Sequence, residues 1–317
     1  MTKASQRTST RNGGRGPAVA VLVLALVALS FGVGPRGAAQ LTSEVVHQYN
    51  LRVDGPGGTP IRALVTFPRQ PGHAMHPEGT RWPIVVALHG LAEAQAGPDR
   101  GYLGWNVDYR LPAAFEALLR GRLSTRDFEG LVRPARLDRL NAELGSTPFR
   151  GVAVITPYVP PLLTPDRENE RKQYIDWLAT GLLEAVREAY PGLARTAAGT
   201  GVDGVSMGGR VALEAGFRHP EAFGAVGGIQ PAVRGDVELL SGLVDRARGQ
   251  RIRLLSSDDD PFLVPTRQLS DALRAKGVAH DLVVSPGPHD YAFNRGPGGI
   301  ELLRFAEQAL AREPFEE

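Results

Sequence analysis

The run Gly201-Val202-Asp203-Gly204-Val205-Ser206-Met207-Gly208-Gly209 constrains the fold more than any other stretch of this chain. Its Gly-x-Ser-x-Gly pattern closes an apolar run and opens a helical one, which puts Ser206 on a sharp turn between a strand and a helix. A serine held there has strained backbone angles and close neighbours, so glycines two residues to either side supply the room. The helix opening at Ser206 points its free N–H groups and positive dipole end to where a tetrahedral oxyanion would form. With 38 glycines in 317 residues the pattern also arises by chance, so the rest of the chain must support it.

The chain begins with Lys3, Arg7, Arg11 and Arg15, continues into the apolar run from Pro17 to Leu29, and reaches the small residues Gly37-Ala38-Ala39 before Gln40. A basic start, an apolar centre and a small-residue exit describe a secretory signal peptide over residues 1–39, cleaved after Ala39. An uncleaved membrane anchor is the alternative, although the apolar run is short for a span and Gly32, Gly34 and Pro35 interrupt its end. No cysteine follows for lipid attachment, and no adjacent arginine pair marks the twin-arginine route.

Cleavage would change the charge. The formal net charge of +2 includes five basic and no acidic residues within 1–39, which leaves 31 basic against 34 acidic residues, a net of −3, in residues 40–317. The basic pI therefore carries no argument for nucleic acid. Lysine stands only at positions 3, 172 and 276, so the excess of arginine reads as coding bias. Without cysteine no disulfide staples the fold, and residues 40–317 are enough for one large α/β domain to bury its own core.

Within that domain, Val45–Val53 and Ile61–Phe67 alternate as two edge strands joined by a Gly/Pro turn. Ile84-Val85-Val86-Ala87-Leu88 is a continuous apolar run, the pattern of a buried parallel strand. It leads into His89-Gly90-Leu91, where His89 reads as a turn residue bonded to backbone rather than a catalytic one. Tyr102, Trp105 and Tyr109 follow, and these rings, Tyr102 and Trp105 foremost, are candidates for walling an acyl or alcohol pocket. Residues 121–150 form a polar, Arg-rich insertion, a candidate lid or rim, before the next strand at Val152–Ile155. Helices are expected over 110–120, 170–190, 206–218, 236–248 and 265–276, with further strands at 225–229, 251–255 and 280–284.

Two strand ends complete the chemistry. Arg251–Leu255 runs into Ser256-Ser257-Asp258-Asp259-Asp260-Pro261, where a carboxylate can orient a histidine; Asp260 fits best and Asp259 second. The last strand runs into Pro286-Gly287-Pro288-His289, where a general base belongs. The order Ser206, Asp260, His289 is the order this kind of fold requires. No metal-binding His-Glu-x-x-His pair is present, and no metal or cofactor is expected.

These pieces resemble the α/β-hydrolase superfamily, and within it the esterase group that includes esterase D-like and feruloyl-esterase-like enzymes. The resemblance spans roughly residues 80–312 and rests on Leu88-His89-Gly90, Gly204-Val205-Ser206-Met207-Gly208-Gly209, His219-Pro220-Glu221-Ala222-Phe223 and Pro288-His289-Asp290. It implies a mostly parallel central sheet with helices on both faces, a triad of Ser206, Asp260 and His289, and oxyanion donors at Leu91 and Met207. Ser256-Ser257 stands where relatives often carry a glycine before the acid, and the 121–150 insertion has no counterpart.

The expected activity is cleavage of small-molecule or polymer-linked carboxylic esters by an exported, periplasmic or secreted, serine hydrolase, with no nucleic-acid partner and no stable membrane span after cleavage. Two alternatives stay open: a peptidase or acyltransferase on the same triad, and a non-catalytic binding module that keeps the fold.

Overall fold

The computed structural model describes residues 40–42, 44–69, 79–247 and 249–315, which belong to one compact unit. The proposed signal segment, residues 1–39, lies outside them. Among the described residues no helix is long and apolar enough to cross a membrane.

Nine strands form one sheet: β1 (Gln40–Thr42), β2 (Val46–Asp54), β3 (Pro60–Pro68), β4 (Ile84–Leu88), β5 (Ala153–Pro157), β6 (Thr200–Gly204), β7 (Ala225–Ile229), β8 (Arg251–Asp259) and β9 (Asp281–Pro288). Their order is β1-β2-β3-β5-β4-β6-β7-β8-β9. From β5 to β9 every pairing is parallel, while β1, β2 and β3 join antiparallel. The hairpin expected from alternation exists, with Val53 opposite Ile61, but β3 is interior because it also pairs with β5. The short β1 is the edge in its place.

All five residues of β4 are buried, and they divide between two apolar layers. Ile84, Val86 and Leu88 pack on one side with the helices Glu168–Trp177 and Met207–Arg218, whereas Val85 and Ala87 pack on the other with Leu111–Leu119 and Gly299–Ala309. A strand with helices on both faces has no polar face to show, which is why its sequence is apolar throughout. Each such side chain contributes about 1.5–3 kcal/mol of burial, so an aspartate at Val86 would break this centre.

The 121–150 insertion is a packed part of this body. Its helix Pro134–Ser146 buries Leu140 and Leu144 in the second layer, and Arg136 grips the buried Glu301 carboxylate with two bonds of 2.9 and 2.6 Å. Arg133 reaches Asp258 at 2.9 Å, at the end of β8.

Elements are longer than the apolar runs suggest where polar residues continue a ladder. The strands that began as 251–255 and 280–284 run to Asp259 and Pro288, because Ser256 and Ser257 pair with Val284 and Ser285. Asp258 and Asp259 are thus strand residues, and Asp260 is the first residue past the strand.

Candidate active site

The turn at Ser206 is built by steric exclusion. Its backbone adopts φ 55° and ψ −115°, a region that costs on the order of 1–3 kcal/mol and is kept by what surrounds it. A Cβ on Gly204 would stand 2.5 Å from the Gly208 carbonyl carbon, and one on Gly208 would stand 2.5 Å from the His89 carbonyl oxygen. Both obstacles are backbone, so both glycines are required. Ser206 N–H donates to the Ile229 carbonyl at 2.9 Å, and the Arg210 and Ala232 N–H groups donate to the Ser206 carbonyl, each at 3.0 Å. Within the helix Met207–Arg218, the buried Glu214 accepts from Arg210 and Arg218 of the same helix and from Arg171 of the helix Glu168–Trp177 at 2.8–2.9 Å, and the last bond ties the two helices together. Burial pushes the Glu214 carboxyl up, but these cations outweigh it and hold it below its usual value.

His289 closes the line. Its Nε2 lies 3.0 Å from Ser206 Oγ and its Nδ1 lies 3.0 Å from Asp260 Oδ1. The Asp260 side chain is fully buried and also accepts from Ser256 Oγ at 2.5 Å and from the Phe262 N–H at 2.9 Å. Asp259 makes no such contact; of its neighbours, Asp258 accepts from the Gly287 N–H at 3.0 Å and pairs with Arg133. Of the two candidates, Asp260 is the carboxylate that stands within hydrogen-bond reach of His289.

One residue that sequence reasoning missed joins all three strand ends. Gln230 directly follows β7, is fully buried and has a left-handed φ of 44°. Its Nε2 donates to Ser257 Oγ at 2.7 Å, beside the acid, and to the Pro288 carbonyl at 2.9 Å, beside the histidine. Nothing in a single glutamine after an apolar run announces this.

Leu91 and Met207 are each the first residue of a helix, Leu91–Gln95 and Met207–Arg218, so neither N–H can bond within its own helix. Among the described residues neither donates to an acceptor. Leu91 is half-exposed at the cleft, whereas the Met207 side chain is buried in the core.

His89 behaves as its turn reading anticipates. It is fully buried, its Nε2 accepts from the Val159 N–H at 2.9 Å, and its Nδ1–H donates to the Gly90 carbonyl at 3.0 Å. Burial pulls its pKa down to about 4, so it stays neutral.

Tyr102 and Trp105 need a correction. Neither lines the cleft: Trp105 is fully buried edge-on to Tyr109 at 5.1 Å, and Tyr102 packs near the sheet with its carbonyl accepting from Thr156. The aromatic residues that do reach the cleft are Tyr109 and Tyr291. They converge on Glu93, whose carboxylate takes the Tyr109 hydroxyl at 2.5 Å and the Tyr291 hydroxyl at 2.8 Å. The Tyr109 oxygen in turn accepts the Gly90 N–H at 3.0 Å, one residue before Leu91. Burial and the Glu93 charge push Tyr109 far up, and burial followed by the Glu93 bond takes Tyr291 to about 12, so both phenols remain donors. The cleft, about 240 Å³, is bounded by this trio, Leu91, Ser206 and His289.

The family described as "Putative esterase" matches residues 162–293, which hold Ser206, Gln230, Asp260 and His289. The fold agrees. A ferulic acid esterase superposes with a TM-score of 0.60 at 16% identity, covering 84% of this chain and 98% of its own. The chain has the fold of the α/β-hydrolases, and its matching stretch resembles an esterase family. A ferulic acid esterase from Anaeromyces mucronatus superposes at a TM-score of 0.55 and 16% identity over 84% of this chain and 94% of that one. An S-formylglutathione hydrolase from Agrobacterium tumefaciens matches at 0.56 and 15% over 86% and 99%. No curated protein matches this chain by sequence.

Proposed function

We propose that this hydrolase is an exported serine esterase that cleaves carboxylic esters through an acyl-enzyme on Ser206. The observation that carries the reading is the line from Ser206 Oγ through His289 to Asp260, with both hydrogen bonds at 3.0 Å. Ser206 Oγ attacks the ester carbonyl as His289 Nε2 takes its proton, and Asp260 holds the imidazole so that Nδ1 keeps its hydrogen. The carbonyl oxygen, now negative, is received by the free N–H groups of Leu91 and Met207. His289 then protonates the leaving alcohol, and water repeats the cycle to release the acid.

Kinetics on a panel of nitrophenyl and aromatic-acid esters tests this. Replacing Ser206 with alanine should lower kcat by up to about 10⁶ and Asp260→Asn by about 10⁴, while Asp259→Asn changes little. Equal inactivity of wild type and Ser206→Ala, with no labelling of either by a fluorophosphonate, would sink the ester reading. Export is supported by the basic, apolar and small-residue order of residues 1–39. The protein recovered outside the cytoplasm should begin at Gln40; an intact N-terminus held in the membrane would show an anchor.

A further inference from the structure

Beside the catalytic cleft lies a groove of about 830 Å³ that the reaction does not use, lined by Arg110, Arg120, Arg122, Arg126 and Arg295. Two of its three carboxylates already have partners. Arg120 stands 2.8 Å from Asp127, and Arg110 stands 3.8 Å from Glu129. Glu116 is then left to face Arg122, Arg126 and Arg295. Arg122 and Arg126 are exposed, and among the described residues no ion pair or hydrogen bond engages their guanidinium groups. Arg295 donates from Nε to the Asp108 carbonyl at 2.8 Å and lies over the Tyr291 ring at 5.6 Å. The groove is therefore a local excess of positive charge on a chain whose residues 40–317 carry a net of −3.

The cleft has the opposite character. Its titratable lining includes Glu93 and Asp290 and no arginine or lysine. The two hollows adjoin, because Tyr109 and Asn294 line the cleft while the next residues, Arg110 and Arg295, line the groove. A substrate with a negative group is thus turned away from one hollow and attracted to its neighbour. Guanidinium groups fit this task because they offer paired N–H donors to carboxylate or phosphate oxygens.

We propose that the groove is a subsite for an anionic group, carboxylate or phosphate, carried by the ester substrate away from its scissile bond. The proposal rests on the ester reading and names a class of substrate for it: a neutral ester joined to an anionic end.

Mono-nitrophenyl esters of dicarboxylic acids of increasing length, their ω-phosphono counterparts and their methyl-capped neutral analogues test it. At the length that spans the two hollows, kcat/KM for the anionic ester should exceed that of its neutral analogue by about tenfold at low salt, as rim ion pairs allow. That ratio should fall toward one as salt is added. Arg122→Gln/Arg126→Gln should lower it, and Arg122→Glu/Arg126→Glu should bring it below one. The better of the carboxylate and phosphonate series identifies the group. A ratio of one or less at every length, or a ratio that charge reversal leaves in place, overturns the proposal while turnover of the neutral esters still supports the ester reading. Should the wild type turn over no ester, that reading fails, and calorimetric titration of Ser206→Ala with the ω-carboxy and ω-phosphono acids decides the groove separately. Binding lost on charge reversal supports the groove, and no binding overturns it.

Discussion

Two turns meet at Ser206, and they are held in different ways. The nucleophile turn is held by the absence of atoms: Gly204 and Gly208 leave no space for a methyl group between backbone segments. The Gly90-Leu91 turn is held by the presence of them, through the Tyr109 hydroxyl that accepts from Gly90 and is itself fixed by Glu93. The first arrangement has no intermediate states, because a close-packed backbone contact is either kept or broken. The second can lose one bond and keep its shape. A defect in the first should therefore act on folding, and a defect in the second on catalysis.

The largest effect to test this contrast is expected from Gly208→Ala. The added Cβ meets backbone on β4, so urea unfolding should show a loss of at least about 3 kcal/mol, or no soluble protein. Wild-type stability would mean that the turn relaxes, and the contrast would fail. Next comes Tyr109→Phe, which leaves the Gly90 N–H and one Glu93 oxygen without a partner inside the protein. An unmet buried group costs about 1–3 kcal/mol, and here the cost should appear as a kcat reduced about tenfold to a hundredfold with KM little changed. A KM effect alone would place Tyr109 in substrate binding instead.

His89, which joins the second turn to β5 through Val159, supplies a test in pH. Its folded pKa of about 4 lies below the ordinary 6.5, so between those values the unfolded chain binds a proton that the folded one refuses, and stability falls as pH falls. Asp203, one residue before Gly204, is buried against Arg253 and bonded to the Gly204 N–H at 2.7 Å. Burial lifts it from 3.8 to about 6, so over that range the folded state binds the extra proton and stability rises as pH falls. The two slopes oppose each other. In His89→Gln only the Asp203 slope remains, and relative to wild type the variant should gain up to about 1.4 kcal/mol per pH unit between pH 6 and 4, read from denaturant midpoints at each pH. An unchanged slope difference would show that His89 titrates normally. The smallest effect should come from Tyr291→Phe, since this tyrosine is 41% exposed and water can replace its hydroxyl: a change in kcat of about threefold or less.

Legibility in the sequence follows the same division. Steric needs are written locally, so the glycines around Ser206, the apolar run of β4 and the order of Ser206, Asp260 and His289 could be read directly. The choice among three adjacent aspartates could not, because it depends on where β8 stops pairing with β9. Of the three rings expected near the pocket only Tyr109 reaches it, and Glu93 and Tyr291 were invisible for a related reason. Tyr291 and Glu93 are 198 residues apart, and no local pattern marks a tyrosine that will meet a carboxylate across that distance. Tyr102 and Trp105 drew attention by ring size, yet burial beside the sheet was their reason. The match to the esterase family has the same boundary: residues 162–293 include the nucleophile turn and leave out Leu91, Glu93 and Tyr109.

The strand order also sets a timetable. From β6 onward each new strand is added at the outer side of the one before, and the proposed acid and base, Asp260 and His289, directly follow β8 and β9. A chain emerging from its N-terminus can place Ser206 long before His289 exists, so every partly made copy carries a silent nucleophile. On the proposed triad, chemistry waits for β9, so a chain folded only as far as β8 holds the serine without its base.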